Sequence, residues 1–251
     1  MKPAVPVLAL TILAYAAYGQ AAAKFDVASI KMSGPGEAER SLTHNAGARL
    51  TTSNATLKML ILLAYQVMPY QLSGGPNWLE SDGFDIEAKA ANPKATQAQF
   101  RQMLQGLLAD RFQLKVHMAT AELPVYMLVA AKGGAKLAEA KQANPEVSVK
   151  IDGPGHMTAI KATMPMLTNA LTRPLQRKVV DQTGLVGAYN FELRYLPDPK
   201  PPRPGDDAAP PIGNGPSLFT ALQEQLGLSL KAGRGPVEVL VIDHAERPSA
   251  N

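Results

Sequence analysis

The chain has 251 residues, 46% hydrophobic and 18% charged, with a formal net charge of +4 and no cysteine. That composition excludes a disordered tail, a disulfide-stapled mini-protein and a cysteine-dependent enzyme. The basic residues Lys24, Arg40, Arg49, Arg101, Arg111, Arg173, Arg177 and Lys178 are scattered and form no stripe that tracks phosphates, so no nucleic-acid partner is expected.

Residues 1–23 read as a signal peptide. Lys2 precedes an apolar run from Val5 to about Ala17, followed by small residues. The run is short for a membrane span, which needs roughly 20 apolar residues. Small residues offer a cut after Gly19 or after Ala23. A periplasmic or extracellular protein is therefore expected, touching a membrane only if the leader is retained.

"FDVASIK" (25–31) opens the rest as a strand. Leu57, Leu60, Ile61 and Ala64 recur at helical spacing behind Thr56, a candidate cap. "GFDIEAK" (83–89) alternates as a strand with Phe84 and Ile86 on one face and Asp85 and Glu87 on the other. Phe100, Met103, Leu104, Leu107 and Leu108 mark the second helix. Two strands follow, "FQLKV" (112–116) and "LPVYMLVAAK" (123–132), and "KGGAKLAEAKQANP" (132–145) reads as a connector.

"EVSVKID" (146–152) then reads as an opening strand like 25–31. Met164, Leu167 and Leu171 form a helix behind Thr163, with Pro165 tolerated in its first turn. "KVV" (178–180) and "AYNFELRY" (188–195) are strands, and "DQTGLVG" (181–187) is the turn between them. Asp181 there can bond the turn's own N–H groups. Residues 196–216 hold eight prolines and read as a flexible insertion. Leu218, Ala221, Leu222 and Leu226 give the last helix, capped by Ser217 and stopped by Gly227, before the strand "GPVEVLVIDH" (235–244).

These elements fall into two series. "ARLTTSNATLKML" (48–60) lies over "GHMTAIKATMPML" (155–167) with Thr51/Thr158, Ala55/Ala162, Thr56/Thr163, Met59/Met166 and Leu60/Leu167 identical. "GFDIEAK" matches the pattern of "AYNFELR", and Pro124 and Val125 fall on Pro236 and Val237. The expected fold is α+β, as two tandem repeats over 24–135 and 136–251. Each is expected to pack two helices on one face of a mostly antiparallel sheet.

No residue pattern points to a reaction. His44, His117, His156 and His244 lack the spacing of zinc enzymes, and His244 lies at a C-terminus expected to fray. No nucleophile elbow or phosphate-cradling glycine loop occurs. No catalytic residue, cofactor or metal ligand is assigned. The methionines 59, 103, 164 and 166 fall on helix core faces. Trp78, in a glycine–proline loop, and Tyr70 are the candidate partner-binding residues, although a lone Trp more often plugs a core. The expected function is non-enzymatic binding of a peptide or envelope component. The alternative is a hydrolase assembled between the repeats around Ser73, His117 or Asp181.

The blocks "FDVASIK", "LSGGPNWLESDGFDIEAKA", "LLADRFQLKVH", "ELPVYMLVAAKGGAKL", "VVDQTGLVGAYNFEL", "PSLFTALQEQLGLSL" and "PVEVLVIDHAERPSAN" resemble a soil-associated secreted family of unknown function, of acidobacterial type. The resemblance implies export and, in some members, fusion to membrane sensor-peptidase modules; it supplies no catalytic residues. A looser likeness, in element order alone, is to the short N-terminal domain of secretins and TonB-dependent receptors, here in tandem.

Overall fold

The computed structural model describes residues 24–34, 40–45, 49–90, 92–140, 147–153, 155–197 and 215–249. The leader, most of the proline-rich insertion and part of the 132–145 connector lie outside the described residues. The fold is α+β. Its first series is β1 (Phe25–Met32), β2 (Ser41–Asn45), β3 (Arg49–Thr56), α1 (Leu57–Tyr65), β4 (Leu72–Gly74), β5 (Gly83–Ala90), α2 (Gln97–Phe112) and β6 (Lys115–Ala130). The second is β7 (Ala138–Glu139), β8 (Ser148–Ile151), β9 (His156–Ala162), α3 (Met164–Leu175), β10 (Val179–Asp181), β11 (Tyr189–Arg194), α4 (Leu218–Leu226) and β12 (Leu228–His244).

Two four-stranded sheets run β1-β5-β3-β2 and β7-β11-β9-β8, and a third, central sheet runs β10-β6-β12-β4. In the central sheet β6 and β12 pair antiparallel along nearly their whole length. Short β4 adds in parallel to β12, and short β10 adds in parallel to β6. Each long strand thus carries the short strand of the other series.

The helices bury the faces their spacing predicts. Leu57, Leu60, Ile61 and Ala64 of α1 are buried, as are Leu218, Ala221, Leu222 and Leu226 of α4. Thr56 and Ser217 accept N–H groups from Met59 and Thr220, satisfying donors a helix start leaves unpaired. Thr163 stands at the cap of α3 without a side-chain bond. Gly227 ends α4 in the left-handed region at φ 64, where a Cβ would overlap the Gly134 carbonyl oxygen.

β3 and β9 share an irregularity. Asn54 and Lys161 take φ of 51 and 47, each two residues before a helix cap. The N–H of Asn54 is accepted by Asp85 Oδ1 on β5 at 2.9 Å, and that of Lys161 by Asn190 Oδ1 on β11 at 2.8 Å. The ladder register slips beside each, as at a bulge, and turns the strand into its helix.

Several expectations need correction. The two strands read at 112–116 and 123–132 form one strand, β6, and β12 likewise begins at Leu228, before 235. Pro124 and Pro236 do not break them. Tyr126 donates its N–H outward to Lys178 O at 2.9 Å, so even positions of β6 face away from β12. Pro124 has that parity, and Pro236 pairs with Glu122 of the same parity, so neither lacks a ladder donor. The connector holds β7, which pairs with β11. The segment 146–152 supplies β8 beside β9, the place of β2 beside β3, whereas β7 stands where β1 does. The tail does not fray at His244: Glu246 N–H donates to Phe112 O at 2.7 Å, and Arg247 Nε to Asp82 Oδ2 at 2.7 Å.

Three cores follow from this topology. One gathers α1, α2, Ile30, Phe84 and Ile86 with Leu240 and Ile242 of β12. A second gathers α3, α4, Tyr189 and Leu193 with Leu128 of β6 and Leu228 of β12. A third lies on the central sheet, around Val125, Val237 and Val239. Every core contains residues from the long strands, so those strands tie the molecule together.

Candidate binding cleft

After α1 the chain needs six residues to reach β4, whereas α3 reaches β10 in three. The longer connection folds into a 3-10 turn, Pro69–Gln71, preset by Pro69 at its first position. Met68 N–H donates to Gln71 Oε1 at 3.0 Å, and Gln71 N–H to Met68 O at 2.8 Å. Gln71 Nε2 reaches across to donate to Glu238 O at 3.0 Å, on the outer edge of β12. From the second series, Lys178 Nζ donates to Pro236 O at 3.1 Å on the same edge.

Between these arms lies an open cleft of about 950 Å³. Its walls are Gln66, Met68 and Tyr70 on one side, and Met166, Asn169, Arg173 and the β8 residues Val149 and Ile151 on the other. Met166, expected in a helix core, therefore lines the cleft, because it stands one residue before the buried Leu167. Burial pushes the Tyr70 phenol above its ordinary pKa, so it stays neutral and can donate a hydrogen bond. Arg173 lies in the last turn of α3, where the helix dipole favours a cation. Among the described residues no carboxylate pairs with its guanidinium.

The backbone of β8 has an open edge. Asp152 donates its N–H to His156 O at 3.0 Å, closing the β8–β9 hairpin with a bonded pair. Bonded and non-bonded pairs alternate along an antiparallel ladder, so Val149 and Ile151 turn their N–H and C=O away from β9. β8 is the end strand of its sheet.

Trp78 sits elsewhere. Its indole is 7% exposed, packs edge-on against Phe84 with centroids 6.2 Å apart, and carries the Arg247 guanidinium over its ring at 5.2 Å. It plugs the first core beneath its loop.

The three residues of the hydrolase alternative do not converge. Ser73 pairs with Val241, which pairs on its other side with His117, leaving a whole strand between hydroxyl and imidazole, roughly 10 Å. Asp181 pairs with Leu128, eleven residues along β6 from His117, about 36 Å at strand rise. His117 Nδ1 instead meets both Asp243 oxygens at 2.9 Å on an exposed surface. Asp181 accepts the Thr183 N–H at 2.9 Å and its hydroxyl at 2.8 Å, closing its own turn. His156 Nε2 contacts Glu192 Oε1 at 2.8 Å; that bond, with the Arg194 guanidinium beside it, holds the exposed Glu192 carboxyl below its ordinary pKa. Among the described residues no group of three or more His, Asp or Glu could hold a metal ion. No helix among them is long and apolar enough to cross a membrane.

The sequence named Tyr70 as a candidate partner-binding residue and read 146–152 as a strand, but assigned no role to Arg173, Lys178 or the edge of that strand. A basic pair around a proline in "TRPLQRK" was visible, yet nothing local says which cleft it faces.

The model of a family described as proteins of unknown function, DUF3738, matches residues 58–245. No curated protein and no solved structure matches the chain.

Proposed function

We propose that this chain, which belongs to the DUF3738 family of proteins of unknown function, is an exported, non-enzymatic binding protein that takes an extended peptide in the cleft. The apolar leader motivates export. Two tandem units motivate the rest: both outer sheets follow one strand order, and the left-handed residues Asn54 and Lys161 are held by equivalent side chains. In a scaffold built from two copies, features shared by both serve the fold. The feature found in one copy only is the place to look for function, and the 3-10 turn carrying Tyr70 is such a feature.

The observation that carries the reading is one cleft lined both by this turn and by β8, whose Val149 and Ile151 turn backbone groups away from β9. A peptide strand laid beside β8 would bond Val149 and Ile151 through its backbone and set alternate side chains against Tyr70, Met68 and Met166.

Phage-displayed peptides panned on the purified protein test it. Enriched peptides should lose at least about tenfold in affinity on Ile151→Pro, which removes an outward N–H and leaves the β9 ladder intact. Tyr70→Ala should weaken them too. Thermal melts should show both variants folded. No enrichment, or peptides indifferent to both substitutions, would reject the proposal.

A further inference from the structure

We infer that the peptide this cleft selects is acidic, with a carboxylate seated between Arg173 and Lys178. The inference rests on the peptide reading above and adds the ligand's chemistry to it. Among the described residues two cations and one carboxylate, Glu238, line the cleft, so their charge balance is positive. Among the described residues neither cation has a carboxylate partner: Lys178 spends one of its three donors on the neutral Pro236 carbonyl, and the Arg173 guanidinium has no bond. Several cations elsewhere on the surface are partnered. Lys58 pairs with Glu80 at 2.7 Å, Lys24 with Asp110 at 3.5 Å, Arg247 with Asp82 at 2.7 Å, and Arg194 with Glu192. Arg234 donates to Glu122 O at 2.6 Å and Arg40 to Glu80 O at 3.2 Å.

The two cations come from one short stretch. Arg173 closes α3 just before Pro174, and Lys178 follows the left-handed Gln176, which reverses the chain. The turn Gln176–Lys178 leads straight into β10, so both side chains are presented by backbone that is paired on each side. Lys178 is further held by its bond to Pro236 O, which leaves two N–H donors for a ligand. A guanidinium presents donors in a planar fork that matches a carboxylate, and an ammonium beside it supplies a second, less directional charge. Apolar surface on Met68, Met166 and Ile151 lowers the dielectric around the pair, strengthening it relative to a fully hydrated contact. A basic peptide would set its charges against two like charges. A neutral one would leave the guanidinium with water alone.

Three octapeptides test this, identical in an alternating valine–threonine backbone and ending in two Asp, two Asn or two Lys, each fluorescein-labelled and amidated. Fluorescence anisotropy with the full protein at low salt should rank them acidic, neutral, basic, with about tenfold between the first two. Arg173→Gln and Lys178→Gln should each shrink that gap and together abolish it. Raising the salt should weaken the acidic peptide alone. Equal binding of all three peptides, lost on Ile151→Pro, would overturn the acidic preference and leave the peptide reading standing. Binding of none would overturn both. An acidic preference that survives the double substitution would assign it to another surface and sink the inference.

Discussion

Asp85 shows how one side chain supports a turn between elements. Its Oδ1 accepts the Ser33 hydroxyl at 2.7 Å and the Asn54 N–H at 2.9 Å, tying β1 and β3 to β5 where β3 bends into α1. Asp85→Ala leaves both donors unpaired in a partly buried place and should cost about 1–3 kcal/mol, read from the urea midpoint. Asp85→Asn should cost clearly less, because Asn190 fills the corresponding place on β11 with an amide oxygen. Tyrosines set a second expectation. Burial raises the phenol pKa of Tyr65, Tyr70 and Tyr195 above the ordinary value of 10.0. A group whose folded pKa is raised contributes stability that is intact below its unfolded pKa and is lost as pH rises through the folded one. Thermal stability should therefore hold up to about pH 10 and fall above it. Replacing Tyr65 and Tyr195 with Phe should flatten that fall in melts followed across the alkaline range.

At the scale of elements, the two second helices of the series end in the same left-handed cap with different residues. Gln113 follows α2 at φ 48, and Gly227 follows α4 at φ 64. A side chain in that region carries a steric cost of roughly 1–2 kcal/mol that glycine avoids, while glycine gives up more freedom on folding. Gln113→Gly should be stabilising by up to about 1 kcal/mol, less the value of its bond from Nε2 to Asp110 O. Gly227→Ala should be destabilising by more than about 2 kcal/mol, because it adds strain and drives a methyl into the Gly134 carbonyl. Opposite signs at one cap position, read from two chemical denaturation curves, are the outcome to look for. Equal signs would show that the cap geometry is misjudged.

For the whole molecule, the exchange of short strands across the central sheet decides cooperativity. Leu240 and Ile242 come late in the chain yet lie in the core of α1 and α2, and Leu128 comes early yet lies in the core of α3 and α4. Neither core is complete without the other series, so both should melt together. Calorimetry should show one transition, with calorimetric and van't Hoff enthalpies in agreement. Leu128→Ala and Ile242→Ala should each lower that single transition by the equivalent of about 2–5 kcal/mol. Two resolved transitions, with each substitution moving one of them, would mean that the long strands do not couple the cores.

Periodicity in the sequence was enough for the helices and for the class of fold. Leu57, Leu60, Ile61, Ala64 and the matching sets in the other helices announce a buried face, because a helix repeats its contacts within a few residues. It was enough, too, for the Asp181 turn, whose side-chain bonds are local. It could not supply the length of β6 and β12, since a proline is read as a break until the direction of its missing N–H is known, and that depends on a partner strand over a hundred residues away. Nor could it give the fate of Trp78, which was a surface anchor or a core plug until Phe84 and Arg247 were seen to close around it. The cleft belongs wholly to the tertiary structure: Tyr70, Ile151, Arg173 and Glu238 are far apart in the chain, and only the pairing of the long strands brings them to one place.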